Sequence, residues 1–130
     1  MYSKIYLVDD REITNLMHRV LIRQLGMEDK VKSFTNPEEA LDDLRSEATK
    51  MEPILVLLDI NMPEMTGFEF LEFMELEAFS SNIDVIVVTS SISDEDRILA
   101  GQYPNFVRDF VTKPLKVENI KEIMVSTNSY

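Results

Sequence analysis

Ile54-Leu55-Val56-Leu57-Leu58-Asp59 decides the fold of this chain. Its apolar run is unbroken, follows Pro53 and fits a central strand covered on both faces. The run ends abruptly in a carboxylate, Asp59. Toward the N-terminus Ile5-Tyr6-Leu7-Val8 repeats the pattern and ends in Asp9-Asp10; its shortness and β-branching favour a buried strand over a helix. Two strands therefore deliver acids at their C-terminal ends.

Further runs extend the pattern. Val85-Ile86-Val87-Val88 reads as a third buried strand and ends in Thr89-Ser90-Ser91. Val31 to Phe34 can form another strand, and Phe106-Val107 with Phe110-Val111 marks a weaker last one ending at Thr112-Lys113-Pro114. Between them lie helical signals. Ile13, Leu16, Met17, Val20, Leu21 and Leu25 fall on one stripe of a helix that stops near Gly26. Asn36-Pro37-Glu38-Glu39 combines an N-cap, proline at the first helical position and acids at the positive helix end, which predicts a helix through about Arg45. The loop Asn61-Met62-Pro63-Glu64-Met65-Thr66-Gly67 precedes a helix from Phe68 to about Phe79, apolar enough to be largely buried. Ser93 with Asp96 resembles a capping box and opens a short helix near Asp94 to Gly101. Val117, Ile120, Ile123 and Met124 predict an amphipathic terminal helix. Five strands alternating with five helices imply an α/β fold with a parallel sheet, right-handed crossovers and helices on both faces.

The bulk properties agree. At 130 residues, 45% hydrophobic and 28% charged, residues 1–130 suit a single globular domain rather than a disordered chain. There are no cysteines, so disulfides and thiolate metal sites are excluded, and any metal is expected on oxygen ligands. The one histidine, His18, reads as an ordinary helix-surface residue away from the strand-end acids. Thirteen Lys and Arg against 24 Asp and Glu give a net charge of −11, which opposes direct nucleic-acid binding. No run approaches the ~20 apolar residues of a membrane span and no signal peptide is apparent, so a cytoplasmic location is the default.

Ligands of open parallel sheets bind beyond the carboxyl ends of the strands, where Asp9, Asp10, Asp59, Thr89 and Lys113 all fall. Three carboxylates gathered there repel one another unless a cation sits among them, and an all-oxygen set suits Mg²⁺. A carboxylate can attack phosphorus to form an aspartyl phosphate, provided fixed positive groups such as Mg²⁺ and Lys113 meet the charge on the transferring group.

Asp9-Asp10, Asp59, the Met62-Pro63-Glu64-Met65-Thr66-Gly67 loop, Thr89 and Lys113-Pro114 resemble the receiver-domain signature of bacterial response regulators, over essentially the whole chain. The resemblance implies a flavodoxin-like doubly wound fold with strand order 2-1-3-4-5. It implies that Asp59 is phosphorylated from a histidine kinase or phosphotransfer protein, with Mg²⁺ bound by Asp10, Asp59 and the backbone carbonyl of Asn61, and with Asp9 supporting the metal through water. It further implies that Thr89 bonds the phosphoryl oxygen, that Lys113 pairs with it, that small Ser90 leaves it room, and that Phe110 is the switching aromatic. By the same resemblance, Asn61 and Ser91 are expected to influence the phosphoryl lifetime. A stand-alone regulator is expected, acting on a downstream protein as a monomer or a phosphorylation-dependent dimer. Thr89 and Lys113 lie 24 positions apart, more than expected for the family, with Gly101 to Asn105 the place for extra residues.

Other readings weigh less. Phe110 also suits a plain core aromatic. A phosphatase with an aspartyl nucleophile would carry a second acid where Asn61 stands, and a flavin carrier would need a phosphate loop where this chain has Asp9-Asp10-Arg11-Glu12. A receiver that works as a constitutive binding module is the remaining alternative.

Overall fold

The computed structural model describes residues 2–90 and 93–128. Strands β1 (Lys4–Val8), β2 (Val31–Phe34), β3 (Ile54–Leu58), β4 (Ile83–Thr89) and β5 (Val107–Thr112) form one sheet in the order β2-β1-β3-β4-β5. Every pairing is parallel. Helices α1 (Glu12–Gln24), α2 (Pro37–Ala48), α3 (Gly67–Leu76), α4 (Asp94–Ala100) and α5 (Val117–Asn128) alternate with the strands, as expected. Ser91 lies outside the described residues.

All five residues of β3 are buried, which its unbroken apolar run requires of a strand with helices on both faces. Alternate strand residues feed two cores. Tyr6, Val8, Val56, Leu58, Val85 and Val87 pack under α2 and α3 with Leu41, Leu44, Phe70 and Leu71. Ile5, Leu7, Leu55, Leu57, Ile86 and Val88 pack on the other side with Ile22, Ile120, Ile123 and Met124 of α1 and α5.

Helix starts follow local chemistry. The Asn36 side chain accepts from Glu38 N, with Pro37 at the first helical position. Thr66 with Glu69, and Ser93 with Asp96, close two reciprocal capping boxes. Helix α2 runs on to Ala48, past the expected Arg45, because Glu47 in its last turn is buried and pairs with Lys32 and Lys50 at 3.7 and 3.2 Å. Helix α3 stops at Leu76, short of Phe79; Ala78 just beyond has a left-handed backbone (φ 54°).

Most of the apolar stripe of α1 faces away from the sheet. Ile13, Leu16, Met17 and Val20 are 61, 52, 55 and 38% exposed. The helix turns Asn15, His18 and Ile22 inward instead, with Leu21 and Leu25 only partly covered. His18, expected at the surface, is buried. Among the described residues no helix is long and apolar enough to cross a membrane.

Candidate functional site

The carboxyl ends of β1 and β3 lie side by side, since Val8 pairs with Leu58. Asp9 and Asp59 follow those residues directly, and Asp59 N donates to Val8 O at 3.0 Å. Asp9, Asp10 and Asp59 each offer a carboxylate oxygen within 4.8 Å of the others. Asp9 and Asp59 are buried, and Asp10 is the more open of the three.

Strand β4 places Thr89 beside this cluster, fully buried, where its hydroxyl accepts from Asn61 Nδ2 at 3.3 Å. Strand β5 delivers Lys113, whose N–H bonds Thr89 O at 2.7 Å. The Lys113 ammonium lies 2.7 Å from Asp9 Oδ2 and 3.7 Å from Asp59 Oδ1. The structure therefore brings together all five strand-end residues picked out by the sequence.

The loop after Asp59 is drawn tight. Asn61 N donates to Asp59 Oδ1 at 3.4 Å, and Gly67 N to Ile60 O at 2.9 Å. A Cβ on Gly67 would sit 2.7 Å from Asp59 O and 2.9 Å from Ile60 Cα, so glycine is needed for close backbone approach rather than for a special φ. Met62 and Met65 of this loop are buried packing, in line with a thioether's usual use.

Charge within the site is unbalanced. Burial raises the Asp59 pKa above the ordinary carboxylate value, the Asp9 charge adds to this, and Lys113 and the Asn61 N–H oppose it. A closely spaced, mostly buried set of oxygens with excess negative charge fits a hard divalent cation such as Mg²⁺. His18 also feels the site. Burial lowers its pKa to about 4, with Lys113 lowering and Asp9 raising it, so the ring is neutral at pH 7.

Phe110 is half-buried against the α2/α3 core, and the Arg97 guanidinium of α4 stands 6.0 Å from its ring centroid. Ser90 is exposed. Asn15 was not legible in the sequence as a site residue, yet its side chain holds the backbone of Asp9. An asparagine inside an apolar helical pattern was the one available signal.

Residues 5–125 match the family described as the response regulator receiver domain. The chain belongs to this family. Among receiver relatives, a probable methanogenesis regulatory protein, FilR2, of Methanothrix harundinacea is 30% identical over 128 residues, covering 97% of this chain and 81% of that protein. The polar-differentiation response regulator DivK of Brucella anthropi is also 30% identical, over 126 residues, covering 95% of this chain and 98% of DivK. The receiver fold recurs in a two-component response regulator from Cytophaga hutchinsonii, with TM-score 0.83, 22% identity and coverage of 98% and 97%. Vibrio cholerae chemotaxis protein CheY4 superposes with TM-score 0.78 at 21% identity, covering 97% of this chain and 98% of that one.

Proposed function

We propose that Asp59 accepts a phosphoryl group from a phosphohistidine of a histidine kinase or phosphotransfer protein. In this reading Asp10, Asp59 and the backbone carbonyl of Asn61 hold Mg²⁺, with Asp9 supporting it through water. The observation that carries the proposal is the convergence of three carboxylates, Thr89 and Lys113 at the ends of four strands. An Asp59 carboxylate oxygen forms the new bond to phosphorus as the donor's P–N bond breaks. The imidazole leaves with that electron pair and takes up a proton.

The chain's own residues prepare this step. Burial keeps Asp59 poorly solvated and electron-rich. Lys113, within 3.7 Å, meets the charge of the transferred group. Bound Mg²⁺ would neutralise the phosphoryl oxygens. The Thr89 hydroxyl exchanges its Asn61 partner for a phosphoryl oxygen, and Phe110 fills the space that Thr89 vacates. Hydrolysis at the same carboxylate then returns Asp59 and inorganic phosphate.

The exposed apolar residues Ile13, Leu16, Met17 and Val20 support α1 as the surface that meets the phosphodonor. Leu16, Met17 and Val20 border a groove that reaches Lys113 and Pro114, so a donor seated there is close to Asp59. The output is contact with a downstream protein, in the cytoplasm, as a monomer or a phosphorylation-dependent dimer. A charge of −11 disfavours direct contact with DNA.

Intact-mass analysis after incubation with acetyl phosphate and Mg²⁺ tests the reading. One phosphoryl adduct is expected, absent from Asp59→Asn and from chelator-treated protein. No adduct on folded, Mg²⁺-loaded chain would overturn the proposal in favour of a constitutive binding module.

A further inference from the structure

We infer that Asn15 is a positioning residue for the metal-binding carboxylates, an inference that rests on the Mg²⁺ reading above. Asn15 lies on the inner side of α1 and is only 3% exposed. Its Nδ2 donates to two backbone carbonyls, Asp9 O and Phe34 O, each at 3.1 Å. Those carbonyls sit at the ends of the adjacent strands β1 and β2, where Asp9 N also donates to Phe34 O at 3.2 Å. One amide group therefore fastens the point where the chain leaves the sheet and turns into the acidic pair.

The fastening is local to the site. Arg11, the residue that precedes helix α1, offers no side-chain cap. The turn is held from within by Arg11 N, which donates to Asp9 Oδ1 at 2.9 Å, and from the helix by Asn15. Between them these bonds fix both the main chain and the side chain of Asp9, and with them the direction in which Asp10 leaves.

Packing alone does not account for the asparagine. Asn15 Oδ1 is buried with no partner among the described residues. A buried acceptor without a donor carries a desolvation penalty, which an apolar side chain of similar shape would avoid. Asn15 is thus poor at filling the core and well suited to setting the Asp9 carbonyl. Groups that orient metal ligands in this way typically change metal affinity 10–100-fold when removed.

The test is Mg²⁺ titration followed by amide NMR shifts of residues 9–11 and 59–61, with thermal unfolding measured alongside. Asn15→Leu keeps the branched shape and removes the donors; Asn15→Ser keeps one donor. About a 10–100-fold weaker Mg²⁺ affinity is expected for Asn15→Leu, with a smaller loss for Asn15→Ser, while Tm moves by only a few degrees. Native affinity in either variant, once shown to be folded, overturns the inference. A native chain whose amides do not respond to Mg²⁺ overturns the metal reading and this inference with it, and that outcome is visible before any substitution is made.

Discussion

The Lys113 ammonium donates to Asp9 Oδ2 at 2.7 Å across 104 positions of sequence. Both side chains are well covered, so this ion pair works in a poorly solvated setting. Lys113→Met leaves Asp9 and Asp59 facing each other without it. Removing one partner of a buried pair typically costs on the order of 3 kcal/mol, so a clear loss is expected in urea unfolding without metal. Added Mg²⁺ should narrow the gap from the native chain. An equal gap with and without Mg²⁺ would show that Lys113 is not compensating these acids.

His18 supplies a pH signature. Its folded pKa of about 4 lies below the ordinary 6.5, chiefly through burial. Its stabilising contribution is therefore present above pH 6.5 and is lost as pH falls through about 4, because the unfolded ring takes up a proton first. The full swing is on the order of 3 kcal/mol. Comparing stability at pH 7 and pH 4.5, His18→Leu should lose less on acidification than the native chain. Parallel curves would refute the assignment.

Gly67→Ala should cost about 1–3 kcal/mol, as overpacking usually does. The added methyl presses on Asp59 O and Ile60 Cα, which are backbone atoms and cannot swing aside. Circular-dichroism melts measure the cost, and the yield of acetyl-phosphate adduct, expected to fall, reports whether Asp59 has shifted.

On α1, Leu16→Gln should stay within about 0.5 kcal/mol of native stability, whereas Ile22→Ala should cost roughly 2–5 kcal/mol. The contrast follows from exposure: Leu16 faces water and Ile22 faces the sheet. The Leu16 variant should also keep its labelling by acetyl phosphate while accepting phosphate more slowly from a phosphorylated histidine phosphotransfer domain.

The parts of the fold most legible in the sequence were those with a purely local cause. Strand β3 stood between Pro53 and Asp59 with nothing polar inside it, and its bounds were read directly. The strand-end residues Asp9, Asp10, Asp59, Thr89 and Lys113 could be grouped because parallel strands bring equivalent ends to one edge. Periodicity established that α1 has an apolar stripe, but it carries no information about which side the sheet covers. Hence the exposure of Ile13, Leu16, Met17 and Val20 was not legible, and His18 was placed at the surface although it is buried. The ends of α2 and α3 depend on tertiary partners, such as Lys32 for Glu47, which helix propensity does not register. Asn15 was missed because it bonds backbone carbonyls, which leave no residue-type signature.

The order β2-β1-β3-β4-β5 gathers the site from nearly the whole length of the polypeptide, from Asp9 to Lys113. No contiguous fragment holds it, so anything lodged there acts as a keystone rather than a local clip. By linkage such an occupant favours the native chain as a whole. Amide exchange by global opening should then slow even in β2, a strand that lends the cluster no side chain.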